Sequence, residues 1–145
     1  MYDILEIRYY LLCNYILLQF SLFYLEVFTK MTKSNGKIGE FVAEKFLVKR
    51  GYKIIERNYR KKVGEIDLIA NYENYIIFIE VKLRSSISYG YPAEYVTKKK
   101  QEKITKVAYF YLNSLDDKNF DIRFDVIAII KEGIKYHIEH IQDAF

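Results

Sequence analysis

Acidic residues and a lysine recur in two short hydrophobic segments that follow each other in the chain. Gly64-Glu-Ile-Asp67 opens the first segment, and Glu80-x-Lys82 lies inside the second, Tyr75–Arg84. Alternate side chains of a strand point to one face, so Glu80 and Lys82 would share a face of the second segment. Two carboxylates about 4 Å apart repel by roughly 4 kcal/mol at an effective dielectric near 20. If the two segments pair, their acids therefore require a proton or a cation.

The register between the two segments decides which acids meet. A turn that pairs Asn71 with Asn74 would put Glu65 opposite Glu80 and Asp67 diagonal to Glu80. We therefore expect these three carboxylates and a lysine on one face of the sheet. Proton uptake by one acid would relieve the repulsion. A hard divalent cation, Mg²⁺ or Mn²⁺, would do so as well, because it prefers carboxylate, water and phosphate oxygens.

Lys82 favours the cation over the proton. Its ammonium could orient or deprotonate an attacking water, or neutralise charge that develops on a phosphate, while the metal polarises the phosphoryl oxygen. An isolated Glu-x-Lys is usually part of a solvated strand face. The preceding Gly-Glu-Ile-Asp segment, and Glu40 on a predicted helix, favour the metal site instead.

Periodicity and turn residues predict the elements that would position these side chains. The first helix follows capping residues at 34–36 and repeats through Ile38, Phe41, Val42, Lys45, Phe46 and Lys49. The second follows Pro92 and repeats through Val96, Lys100, Ile104, Val107, Ala108, Tyr111 and Leu112. The predicted order is a helix at about 37–50, strands at 52–59, 65–70 and 75–84, a helix at 94–113, and strands at 123–130 and 134–141. This order argues for an α/β sandwich with a mixed sheet, in which one crossover runs through the second helix.

Short motifs are spread over most of residues 36–145. They are Gly39-Glu40, Gly51-Tyr52, Asn58-x-Arg60, Gly64–Ala70, Phe78-Ile-Glu80-Val-Lys82-x-Arg84, Tyr89-Gly90, Lys100, Arg123-Phe-Asp-Val126 and Ala144-Phe145. Together they resemble the YraN-type family of bacterial endonuclease-like proteins. That family is part of the PD-(D/E)xK superfamily and is akin to archaeal Holliday-junction resolvases. The first thirty residues carry none of the resemblance.

The resemblance implies a restriction-endonuclease-like sandwich, with a helix, three strands, a helix and two strands around a mixed central sheet. It also implies catalytic roles for several residues. Asp67 and Glu80 would hold the metal, Lys82 would be the catalytic lysine, and Glu40 would be a further acid of the metal site. The proline of the superfamily signature is absent, because Ile66 precedes Asp67. By analogy with the resolvases, a homodimer is expected.

Basic residues cluster before the first acidic segment and at the start of the second helix, which suits a polyanion such as nucleic acid. The first cluster could hold a duplex backbone, and the second adds to a helix dipole that already favours phosphate. Solvated charged faces give similar runs. The predicted nucleic-acid contacts are Arg60, Lys61, Lys62, Arg84, Lys98, Lys99, Lys100 and Gln101. His137 and His140 are three apart on a strand and point to opposite faces, so both are interpreted as structural.

Composition limits the class of protein. With 145 residues and a net charge of +4, the chain can bury one sizeable core. We assign that domain to residues 36–145. The single Cys13 excludes a disulfide framework and a four-cysteine zinc site, and it favours a cytoplasmic location.

The first thirty residues differ in character from the rest. Residues 9–25 carry no charge, but Asn14, Gln19 and Ser21 interrupt them, and about 20 consecutive apolar residues are needed to cross a bilayer. The positive start and small-residue cleavage site of a signal peptide are missing. Met31 begins an ordinary polar start, so residues 1–30 are interpreted as an extension from an upstream start codon. No membrane association is expected. A helix that packs on the domain, or lies along a membrane, is the alternative.

Three hypotheses for the function stay open at this point. The first is a metal-dependent endonuclease that hydrolyses DNA phosphodiester bonds, with branched or distorted structures as substrates. The second is a non-catalytic nucleic-acid-binding module that supports DNA uptake, repair or recombination. The third is a membrane-anchored accessory protein that depends on its first thirty residues. The motifs fit DNA and RNA alike.

Overall fold

A computed structural model of the protein describes residues 35–84, 96–116 and 119–145, together with Leu18, Gln19 and Ser21. The chain divides into two compact units, Met1–Asn35 and Gly36–Phe145. The predictions for the N-terminal extension, for a loop over 85–92 and for Pro92 as a helix start fall outside the described residues. No helix in the described ranges is both long enough and apolar enough to span a bilayer.

Two helices and a five-stranded sheet make up the described part of the second unit. The elements are α1 (35–48), β1 (Lys53–Lys61), β2 (Gly64–Tyr72), β3 (Tyr75–Arg84), α2 (Lys98–Asn113), β4 (Asp121–Glu132) and β5 (Lys135–Ile141). The strands lie in the order β1-β2-β3-β4-β5. Neighbouring strands are antiparallel except for the parallel pair β3 and β4. The predicted α/β order and the mixed sheet are confirmed.

Connection length explains this topology. Antiparallel neighbours need only a short turn. The turn between β1 and β2 consists of residues 62–63, and it is shorter than predicted because β1 continues through Lys61. The parallel pair requires a crossover, which contains α2. The second helix begins at Lys98 rather than at residue 94, because the Thr97 side chain caps it by accepting the Lys100 backbone N–H at 3.3 Å.

Alternation along the central strands divides the core into two layers. Phe78 of β3 packs with the apolar stripe of α2, which includes Ile104 and Val107. Ile77 and Ile79 belong to the other layer, which contains α1. Val81 and Leu83 pack against that second layer, so this face of β3 is aliphatic along its length.

The buried stripe of α1 differs from the predicted one. Phe41, which the helical spacing predicts as a repeating apolar position, is 61% exposed. Gly39, Ala43 and Leu47 face the core instead. The small residues Gly39 and Ala43 suit these positions because the helix lies very close to β3. A Cβ at Gly39 would lie 3.0 Å from the Leu83 Cβ.

This close approach predicts that Gly39→Val lowers the free energy of unfolding by about 1–3 kcal/mol, since the new side chain must displace Leu83 or shift α1. Urea unfolding measures the change. Gly36→Val is the matched control, because a Cβ at Gly36 meets nothing within 4 Å and the change in residue type is the same. Equal losses for the two variants would contradict the close contact.

Candidate functional site

The pairing of β2 with β3 sets the position of the acids. Tyr72 pairs with Tyr75 and Leu68 with Ile79, a register two residues away from the predicted one. Glu73 adopts a left-handed conformation (φ 53°) in the turn, which a sequence pattern does not indicate for glutamate. Continued in this register, the ladder sets position 67 across from position 80, so Asp67 faces Glu80 directly rather than diagonally.

The hydrogen-bonded ladder between β2 and β3 ends at Leu68 and Ile79. Beyond that point, the Asp67 side chain makes the next hydrogen bond to β3. The Val81 backbone N–H donates to Oδ2 of Asp67 at 2.8 Å. This bond ties the Asp67 carboxylate to β3, at the point where Glu80 leaves the same strand.

The expectation that Glu65 lies opposite Glu80 is wrong. Glu65 is exposed and forms an ion pair with the Arg60 guanidinium at 2.9 Å. The two-residue change in register moves it away from the acid pair, so two of the three predicted strand carboxylates converge.

Glu80 is almost completely buried, with a side-chain exposure of 2%. Its Oε1 atom accepts the Lys82 ammonium at 2.6 Å and pairs with the Lys100 ammonium at 3.1 Å. Within the described part of the chain, its Oε2 atom is buried and has no hydrogen-bond partner. A buried carboxylate oxygen without a partner is costly, which makes Oε2 an open position for a cation or a donor.

Burial and the neighbouring charge act together on Asp67. Desolvation is the larger cause, and with the negative charge of Glu80 it raises the pKa of Asp67 to about 7. Glu40 raises this pKa further, while the Val81 N–H and the Lys100 ammonium lower it. Near neutral pH, therefore, Asp67 lies at the boundary between holding a proton and requiring a positive partner.

Glu40 lies on α1, and its side chain is held by β1. Its Oε2 accepts the Asn58 side-chain amide at 2.7 Å, and Asn58 holds a left-handed backbone (φ 52°) within β1. One turn along the helix, Glu44 forms a bidentate ion pair with the Arg57 guanidinium, with N–O distances of 2.7 and 2.8 Å. Both helix acids thus contact side chains of β1, and Glu40 acts on Asp67 through its charge.

The residues that could hold a metal ion are Asp67 and Glu80. Among the described residues, no group of three or more acid, histidine or cysteine side chains is close enough to enclose one. A pair nonetheless fits Mg²⁺, which is often bound by one or two carboxylates and completes its shell with waters and substrate phosphate. The partnerless Oε2 of Glu80 and the raised pKa of Asp67 are the features such an ion would relieve.

A basic groove of about 490 Å³ adjoins the acid pair. Its lining residues come from the β1–β2 turn and from α2, and they are Arg60, Lys61, Lys62, Val63, Gly64, Glu65, Lys100 and Lys103. Lys100 belongs both to this groove and to the ion pairs of Glu80. Four of the predicted nucleic-acid contacts therefore line one surface that leads to the acids.

The other predicted contacts lie elsewhere. Lys98 and Lys99 are exposed in the first turn of α2, and Arg84 is exposed at the end of β3. Gln101 donates its side-chain amide to the Val96 carbonyl oxygen at 3.0 Å, so its hydrogen bond supports the helix start.

Sequence reasoning missed the role of Asp125, which is completely buried. Its carboxylate accepts two bonds from Arg123 at 2.8 and 2.9 Å and contacts Nε2 of His140 at 2.7 Å. Arg123 also donates to the Tyr52 hydroxyl at 3.1 Å. Although burial raises the pKa of Asp125, hydrogen bonds with His140, Arg123 and the Asp143 backbone N–H keep this pKa below its usual range. This network joins β4, β5 and the start of β1 on the side of the sheet that carries α1.

Comparison with known proteins identifies the family. Residues 39–129 match the model of the "Uncharacterised protein family UPF0102", a span that contains Glu40, the acid pair and both lysines. The chain belongs to the UPF0102 family. This is the YraN-like family that the sequence motifs resemble.

UPF0102 relatives cover most of the chain. A UPF0102 protein of Clostridioides difficile is 49% identical over 113 residues, 78% of this chain and 97% of the relative. One from Caldanaerobacter subterraneus subsp. tengcongensis is 46% identical over 116 residues, 78% of this chain and 95% of the relative. One from Chlorobium phaeobacteroides is 47% identical, over 76% of this chain and 91% of the relative.

The raised pKa of Asp67 predicts a specific pH dependence of stability. The folded state holds this proton more tightly than the unfolded chain, whose aspartate titrates near 4, so the contribution is complete below about pH 4. It is lost as the pH rises through about 7. Relative to Asp67→Asn, which keeps an acceptor for the Val81 N–H, the wild-type protein should lose stability between about pH 4 and 7. Urea unfolding in EDTA measures this difference, and a difference that does not change with pH contradicts it.

Proposed function

We propose that this chain is a metal-dependent endonuclease that hydrolyses phosphodiester bonds in DNA. The observation that carries the proposal is the buried Glu80, whose Oε2 has no partner in the described part of the chain, beside the aspartate whose pKa is raised to about 7. Two neighbouring carboxylates whose negative charges repel each other suit a hard dication. Two lysines at the same point suit a phosphate.

Each residue then has a task in hydrolysis. Asp67 and Glu80 would hold Mg²⁺ or Mn²⁺, with Glu40 near enough to add negative charge. When bound, the ion would supply Lewis-acid polarisation of the phosphoryl group. Lys82, 2.6 Å from Glu80, would orient the attacking water or neutralise charge on the phosphate. The water oxygen would bond to phosphorus and give its proton to solvent or a basic group, while the opposite phosphorus–oxygen ester bond breaks and the departing oxygen takes up a proton from solvent.

The basic groove supplies the binding part of the proposal. Side chains of Arg60, Lys61 and Lys62 line it from the turn after β1, and Lys100 and Lys103 line it from α2. Several cations along one groove suit the charges of a nucleic-acid backbone rather than base edges. We therefore expect recognition by shape, which agrees with branched DNA as the substrate.

The proposal also covers the fold type, the cellular location and the oligomeric state. The order of helices and strands and the mixed sheet are compatible with a restriction-endonuclease-like sandwich, in which Asp67, Glu80 and Lys82 would take the signature positions. A cytoplasmic location and a homodimer complete it, since resolvase-like enzymes cut the two strands of a branched duplex as symmetric pairs.

Cleavage of defined DNA substrates tests the proposal. With Mg²⁺ or Mn²⁺, the wild-type protein should cut at least one of linear, nicked, flapped and four-way-junction DNA, and EDTA should stop the reaction. Glu80→Gln should lower the rate on the order of 100-fold, because one oxygen ligand and its charge are weakened. Glu139→Gln, an exposed acid of β5, is the control and should cut at the wild-type rate.

Two outcomes would remove the endonuclease. One is the absence of cleavage on every substrate with either ion. The other is a rate that is the same for wild type and Glu80→Gln, which would indicate a contaminating nuclease.

A non-catalytic nucleic-acid-binding module is the second candidate. The observation that favours it is the double ion pair on Glu80 Oε1, which lets two lysines neutralise the acid without a metal. This function predicts salt-dependent DNA binding that survives Asp67→Asn and Glu80→Gln. Fluorescence anisotropy in EDTA across a salt series measures it, and binding that requires both acids and a dication would count against it.

A further inference from the structure

Lys100 connects the two parts of the site. It projects from the first turn of α2, its Nζ lies 3.1 Å from Glu80 Oε1, and it lines the basic groove. The side chain is 29% exposed, so its ammonium is accessible from the groove while the carboxylate it contacts is not. One ammonium therefore stands between the buried acids and the surface offered to a polyanion.

The contact of Lys100 with Glu80 is the weaker of two. Lys82 already occupies the same Oε1 atom at 2.6 Å, whereas Oε2 has no partner among the described residues. A second ammonium on a carboxylate that is already neutralised gains less, because the two cations repel each other. Lys100 is thus the cation that can leave at the lower energetic cost.

We propose that Lys100 is an exchangeable counter-ion, which pairs with Glu80 in the free protein and moves to a DNA phosphate when the groove is filled. The proposal rests on the proposed function, because it assumes that the acids bind a dication and the groove binds DNA. In the free protein, the ammonium and the dication compete for the same negative charge. A phosphate in the groove removes that competitor, so DNA binding prepares the acids for the metal.

The same exchange must act in the opposite direction. Binding free energies are reciprocal, so a dication at the acids releases Lys100 and strengthens DNA binding in the groove. Lys100 is accordingly a positioning residue that couples two ligands. Its charge also reaches Asp67, whose pKa it lowers. Removal of the charge therefore acts on both metal-binding carboxylates.

Metal affinity in the absence of DNA tests the exchange directly. Calorimetric titration with Mn²⁺ should show that Lys100→Met binds the ion about five-fold more tightly than wild type, because a competing cation is gone. Lys100→Arg, which keeps the charge, should remain near wild type. Lys103→Met is the matched control: it removes a lysine from the same groove and the next turn of the same helix, and it should change the affinity by less than about two-fold.

The outcomes separate the two proposals. If wild type binds Mn²⁺ and Lys100→Met binds it no more tightly than Lys103→Met does, the counter-ion role is wrong and the metal site stands. If neither wild type nor any variant binds Mn²⁺, the metal site of the proposed function falls and the exchange falls with it.

A double-mutant cycle without metal provides the second readout. In EDTA, Glu80→Gln should raise the affinity for a four-way junction by about three-fold, because it frees Lys100 for the backbone. In the Lys100→Met background, the same substitution should have little effect, whereas in the Lys103→Met background the full increase should persist. An equal increase in both backgrounds would show that Glu80 acts by simple repulsion of DNA, and it would overturn the exchange.

Discussion

The confinement of two carboxylates at one end of the β2–β3 ladder is the constraint on which the site depends. Asp67 cannot turn away, because its Oδ2 replaces the next backbone acceptor and holds the Val81 N–H. Glu80 cannot turn away either, because its strand is the middle one of five and its side chain points into the layer beneath α2. Repulsion that two surface acids would relieve by rotation is therefore retained, and positive charge must be supplied close to the acids.

The topology brings that positive charge from a distant part of the sequence. Lys82 comes from the same strand as Glu80, but Lys100 arrives through the crossover that makes β3 and β4 parallel. The helix that fills one core layer with Ile104 and Val107 also presents its first turn to the acids. On the opposite layer, the network around Asp125 joins three strands, so the sheet is fastened on the side away from the groove.

Local patterns predict much of this arrangement. Alternation and β-branched residues predict β3 with its bounds intact, and the apolar stripe predicts α2 to its last residue. The β2–β3 register is missed by two residues because Glu73 takes an unusual backbone and Tyr72 stacks on Tyr52, a contact from outside the hairpin. The partners of Asp125 are missed for a related reason: they lie on different strands, and their meeting depends on the assembled sheet. The sequence motif puts Lys82 beside Glu80, but only the fold shows that Lys100 reaches the same carboxylate.

The irregular course of β1 has a further effect at the border of the sheet. Among the described strands, β1 is the outermost on this side; its pairing with β2 shifts between Ile54 and Glu56, and its backbone turns left-handed at Asn58. Such breaks twist an edge and discourage an additional strand from another molecule. The described edge on this side is therefore a poor template for a strand of another molecule, which lowers the tendency of the sheet to extend into a fibre.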